Sequence, residues 1–110
     1  MASLIGLVPE LRPAAEWLYG YGHSLDPSLR VTSGLRTFLE QSRLYQRYRQ
    51  GKSRFPAAPP GQSKHEYGLA FDMARMNTDP RADELLNYLG DLWLQMGGFW
   101  HGSDPVHFEV

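Results

Sequence analysis

The end of the chain limits the fold most. Phe99-Trp100 and Val106 to Val110 both read as strands, and only His101 to Pro105 lies between them. A parallel pair needs a crossover of about a dozen residues or more, so these two strands must run antiparallel. Upstream, helical and strand-like segments alternate. Leu7, Leu11, Ala14, Ala15 and Leu18 recur at helical spacing, with Pro9 or Pro13 in the first turn and Tyr19-Gly20-Tyr21-Gly22 as the stop. Leu29 to Ser33 alternates as a strand ending at Gly34. A second helix is predicted from about Thr37 to Gln50, with Phe38, Gln41, Tyr45 and Tyr48 on one mostly apolar stripe. Lys52 to Gln62, with Pro56, Pro59, Pro60 and Gly61, reads as an exposed loop. Leu69 to Met73 is a short strand, and a third helix is predicted from about Asp79 to Met96. Leu85, Leu89, Leu92, Trp93 and Met96 form its expected core stripe. The order αβαβαβ with short strands predicts an α+β fold: one small domain spanning residues 1–110, a mainly antiparallel sheet and about three flanking helices.

Composition removes several function classes. With 110 residues and 42% hydrophobic content, the chain supports one modest core. It has no cysteine, which excludes a disulfide framework and any thiolate metal site. No apolar run approaches the roughly 20 residues of a membrane span, so no membrane insertion is expected. Met1 to Pro9 lacks a basic leader and a cleavage site, and reads as a mature N-terminus made in the cytoplasm without a signal peptide. A net charge of −1 carries no nucleic-acid signature. Locally, Arg43, Arg47, Arg49, Lys52, Arg54 and Lys64 fall between Gln41 and His65 with no acidic residue among them. That run reads either as a solvated helix face and loop or as steering toward an anionic polymer.

His65, Asp72 and His107 carry the chemistry. Two imidazoles and a carboxylate are what an open catalytic metal site needs, three N/O ligands with a fourth position for water. The same donor set also suits iron or manganese. His65 precedes the strand that bears Asp72, Gly68 lets the chain turn between them, and His107 arrives from the C-terminal strand. Asp104, three residues before His107, is placed to exchange protons with the reacting water without ligating. Arg36 is placed to stabilise a developing oxyanion, or else pairs with Glu40. Ser63, Gln41 and His101 are candidate substrate contacts. Gln41 reads equally as a buried hydrogen-bond partner, His101 as a surface residue, and His23 as a loop residue without a role.

The pattern Ser63-x-His65-x-x-Gly68-x-Ala70-x-Asp72, followed by Asp104-x-x-His107-Phe108-Glu109, resembles the D-alanyl-D-alanine carboxypeptidase family of zinc peptidases. That family includes VanX- and VanY-type enzymes and the L-alanyl-D-glutamate endopeptidases used as phage endolysins. Ser33-Gly34-Leu35-Arg36-Thr37, with Glu40-Gln41 and Leu44-Tyr45, fits its early block, so the resemblance runs from Val31 to Val110. It implies the small α+β fold shared with the hedgehog signalling domain. His65, Asp72 and His107 would then ligate Zn2+ and Asp104 would be the general acid/base. Arg36 would polarise the scissile carbonyl and Ser63 would support the first ligand. The implied activity is zinc-dependent hydrolysis of the peptide stem of bacterial peptidoglycan by a monomer.

Aspartate at position 104 leans toward the L-alanyl-D-glutamate endopeptidase, because the carboxypeptidase branch usually has glutamate there. Val106 departs from the endolysin pattern, which tends to have proline directly before the last histidine; here Pro105 sits one residue earlier. The rival is a D,D-carboxypeptidase or dipeptidase removing terminal D-alanine. A non-catalytic wall-binding module is a further alternative, with Asp104 and Arg36 speaking against it. Access to the wall is expected through a phage partner that permeabilises the membrane.

Overall fold

The computed structural model describes residues 2–110. Among them, seven α-helices and strands follow in the order α1 (Arg12–Leu25), β1 (Leu29–Ser33), α2 (Phe38–Arg49), β2 (Ala70–Arg75), α3 (Glu84–Gln95), β3 (Phe99–Trp100) and β4 (His107–Glu109). The strands form one sheet in the order β1-β2-β4-β3, antiparallel at every pairing, and the β3–β4 hairpin is the one its short connection demands. The α+β expectation therefore holds, with three α-helices as read. No described helix is long and apolar enough to cross a membrane.

Alternation along the strands divides the sheet into two unlike faces. Leu29, Val31, Phe71, Met73 and Phe108 point to one side, where Ala15 and Leu18 of α1 and Leu86, Leu89 and Trp93 of α3 close the core over them. Phe71 stacks on Phe108 at 5.4 Å, and Trp93 meets Phe71 edge-on at 5.3 Å. Asp72, His107 and Glu109 alternate with these residues and so emerge on the opposite face. The register completes the arrangement: Asp72 stands directly across from His107, and Ala70 across from Glu109.

Local chemistry corrects several sequence-based boundaries. α1 does not stop at Tyr19-Gly20-Tyr21-Gly22 but runs on to Leu25. Gly22 is there for packing, since a Cβ would lie 2.7 Å from Leu29 and 2.8 Å from Leu89. The helix ends at Asp26, ahead of Pro27, where the residue before proline leaves the helical region. α2 starts as expected. Thr37 Oγ1 accepts from Glu40 N, and the Glu40 carboxylate accepts from Thr37 N. Its expected apolar stripe is not core, however. Gln41 is the buried residue and Tyr45 is half-buried, while Phe38 and Tyr48 are exposed, because α2 flanks the functional face of the sheet.

α3 begins later than Asp79. Pro80–Ala82 form a 3-10 turn, and the buried Asp83 carboxylate caps the helix by accepting from Leu85 N and Leu86 N. The buried stripe is Leu86, Leu89, Gly90 and Trp93; Leu85 and Leu92 lie at its margin and Met96 is exposed. β2 starts at Ala70 rather than Leu69 and extends two residues past Met73, to Arg75. β4 is shorter than Val106 to Val110.

Candidate metal centre

Three donor atoms converge on the open face of the sheet. His65 Nε2 lies 3.1 Å from Asp72 Oδ1, His107 Nδ1 lies 3.2 Å from the same oxygen, and the two imidazole nitrogens are 3.3 Å apart. The outer partners fix the tautomers. His65 Nδ1 sits 2.9 Å from the Gly34 carbonyl, which only accepts, so Nδ1 carries the proton and Nε2 presents a lone pair. His107 Nε2 sits 3.1 Å from the Glu109 carboxylate, so its proton lies there and Nδ1 presents the lone pair. Three acceptors thus face one another with no donor between them. Two ligands at about 2.0–2.1 Å from a tetrahedral metal stand roughly 3.3–3.4 Å apart, so the triangle has the dimensions of three corners of such a site. The residues fit a divalent metal held through two nitrogens and one oxygen.

Each of the three candidate ligands is oriented by local folding. Ser63 opens a 3-10 turn (Lys64–Tyr67) with a capping box: its Oγ accepts from His65 N, and Glu66 accepts from Ser63 N. Gly68 closes that turn at φ 70°, and a Cβ there would lie 2.8 Å from the Gly6 carbonyl oxygen, so glycine is required between the two ligands. Asp72 and His107 meet through strand pairing. Glu109 orients His107 and is itself held by Lys64 Nζ at 2.6 Å. Asp72 Oδ2 accepts from Arg36 Nη2 at 3.2 Å; Arg36 also donates to Ser33 Oγ and to Gln41 Oε1. Gln41 donates onward to the Ala58 carbonyl, which makes it a buried hydrogen-bond partner linking the loop to Arg36.

Asp104 lines the same cleft, of about 670 Å³, together with the three ligands, Arg36 and Ser63. A turn places it there, with His107 N donating to the Asp104 carbonyl at 3.1 Å. His101 is not brought in. It is exposed, lies outside the cleft lining and bonds to Ser103, so its expected substrate contact has no support in the geometry. Glu109 and Lys64 are the site residues that role assignment from sequence missed. The signal was the two-residue spacing of His107 and Glu109, which puts both side chains on one strand face.

The electrostatics suit a cation. Burial alone would raise the Asp72 carboxyl, but protons on the facing nitrogens of His107 and His65, the protons a metal would displace, outweigh it and hold it at about 2. Burial likewise raises Glu109, and Lys64 and His107 more than reverse it. Asp104 goes the other way, lifted first by desolvation and then by the Asp72 charge against the pull of His107. Burial would lower His107, yet Asp72, Asp104 and Glu109 raise it above its ordinary value. A proton therefore competes with metal for Nδ1 at higher pH than for a free histidine. Zinc affinity, titrated calorimetrically, is expected to begin falling while the pH is still above about 6.5 and to steepen below it. A constant affinity from about pH 8 to 6 would contradict this assignment of His107.

The residue pattern of the VanY family, described as D-alanyl-D-alanine carboxypeptidase, matches residues 6–93. That span holds Arg36, Gln41, Ser63, His65 and Asp72, and ends before Asp104 and His107. No curated protein sequence matches the chain. Among solved structures, the LD-carboxypeptidase LdcB superposes with a TM-score of 0.72 at 23% identity, over 96% of this chain and 65% of its own. The D,D-dipeptidase VanXYg, in complex with a D-Ala-D-Ala phosphinate analogue, gives 0.74 at 18% identity, over 94% of this chain and 50% of its own. A VanY from a VanB-type resistance cassette, in complex with Zn(II), gives 0.70 at 19% identity, over 94% and 72%. The chain thus spans 65% of LdcB's length, and these likenesses are of fold. With the family pattern running through the strand and turn that supply His65 and Asp72, the chain belongs to the VanY D-alanyl-D-alanine carboxypeptidase family.

Proposed function

We propose that this chain is a zinc-dependent peptidase that hydrolyses the peptide stem of bacterial peptidoglycan. The observation that carries the reading is the triangle of lone pairs at 3.1, 3.2 and 3.3 Å in a cleft that Asp104 also lines. Zinc as the metal is supported by the donor set and by the Zn(II) complex of the similar VanY. Peptidoglycan as the substrate is supported by family membership and by the peptidoglycan recognition reported for LdcB.

Zinc, when bound, supplies Lewis acidity and lowers the pKa of water toward about 7. The protein supplies the rest. Asp104 makes no side-chain hydrogen bond among the described residues and faces the cleft, so its carboxylate is free to take a proton from the attacking water and pass it to the leaving amine. Arg36 has five N–H groups, of which three are used on Ser33, Gln41 and Asp72. Those remaining are available to a substrate carbonyl and to the negative charge that develops on it.

For the bond cut, the L-alanyl-D-glutamate endopeptidase reading is supported by the aspartate at position 104, which lines the cleft. The second reading, removal of a terminal D-alanine, is favoured by the carboxypeptidase description of the family. Mass spectrometry of purified peptidoglycan digested by the zinc-loaded protein, against a chelated control, separates them. Fragments with a new amino terminus on D-glutamate are expected for the endopeptidase, and release of free D-alanine for the carboxypeptidase. Digests identical to the control would overturn the peptidase reading.

A further inference from the structure

A second groove, of about 390 Å³, adjoins the metal cleft and shares Arg36 and Leu44 with it. Arg43 and Arg47 line it, one turn apart on α2. At that spacing two guanidinium groups are neighbours and repel each other. Among the described residues neither guanidinium has an ion-pair or hydrogen-bond partner. The groove's one acidic lining residue, Glu40, has its carboxylate on the Thr37 N–H, where it caps the helix. The apolar rim is Leu35 and Leu44, 50% and 38% exposed, too open for core residues and well placed beside an extended chain. With Arg36, Arg43 and Arg47 against the single carboxylate of Glu40, this strip is net positive and adjoins the cleft, so it is complementary to an anionic chain whose reacting bond lies over His65, Asp72 and His107.

We propose that this groove is an acidic-residue subsite: it takes a free carboxylate of the peptide stem at a distance from the scissile bond. The assignment rests on the peptidase reading above. Arg43 and Arg47 close on the carboxylate as a two-guanidinium clamp, and Leu35 and Leu44 cover the adjoining aliphatic chain.

The test compares a stem peptide bearing its free carboxylates with the same peptide amidated at them. The zinc-loaded wild type is expected to favour the acidic peptide roughly tenfold in KM, the scale of one or two charge-assisted hydrogen bonds. In the Arg43→Gln/Arg47→Gln double variant that ratio should collapse toward one, whereas Arg43→Lys/Arg47→Lys should keep part of it. The preference should also weaken as salt rises. A ratio unchanged in the glutamine variant, or a wild type with no preference, overturns the subsite and leaves the peptidase reading intact. If no stem peptide is cleaved at all, the peptidase reading fails, and calorimetric binding of the two peptides decides the groove by itself. Tighter binding of the acidic form to wild type than to the double variant supports it, and equal binding overturns it.

Discussion

Replacing Asp104 with asparagine should lower peptide hydrolysis by roughly 10²–10⁴-fold, the usual worth of a positioned general acid–base, while zinc stays bound. The two halves of that expectation come from different parts of the site. Asp104 shares the cleft with the ligands but lies outside the donor triangle, so the amide leaves all three donor atoms in place. The amide is nearly isosteric and cannot carry the proton. Measuring kcat beside zinc content by equilibrium dialysis checks both halves at once. Activity within tenfold of wild type would remove Asp104 from the chemistry. Loss of the metal would make it a ligand instead. His65→Ala is the matching control, since it should lose metal and activity together: Nε2 is one corner of the triangle.

How far this was legible in the sequence depends on the range of the contacts involved. Strand alternation and the short final connection carried the sheet, because period two and loop length are local facts. The convergence of His65, Asp72 and His107 was readable because a metal site restricts residue types, and Asp72 and His107 meet through plain antiparallel register. Helix boundaries were less legible. Gly22 reads locally as a stop, yet its purpose is the approach of Leu29 and Leu89, both distant in sequence. The Phe38–Tyr48 stripe reads as core, but whether a stripe is buried depends on where the helix sits. α2 borders a cleft, so only Gln41 goes inside. Arg36 was expected at the carbonyl; that it also grips Asp72 and is held by Ser33 and Gln41 is tertiary information without a sequence period.

Trp93→Ala should cost about 3–5 kcal/mol of folding stability, the range for truncating a buried large aromatic. That is a large part of the roughly 5–15 kcal/mol available to a domain. Trp93 is 2% exposed and packs edge-on against Phe71, which stacks on Phe108 of the neighbouring strand. Its Nε1 donates to the Glu109 carbonyl at 2.8 Å, so the same indole pins the strand that carries His107. Alanine leaves a cavity behind β2 and β4 and removes the indole hydrogen bond to the residue whose side chain orients His107. A urea titration of the metal-free protein should show the midpoint falling with little change in slope. Trp17→Ala, at a residue 54% exposed, should move the midpoint far less. Zinc binds only the native arrangement, so added zinc should restore part of the lost stability in proportion to the logarithm of its concentration. Because β4 loses its anchor, the variant should also bind zinc more weakly than wild type. A Trp93→Ala protein with wild-type zinc affinity would show that the two faces of the sheet are energetically independent. A stability loss below about 1 kcal/mol would show that the core does not depend on this indole.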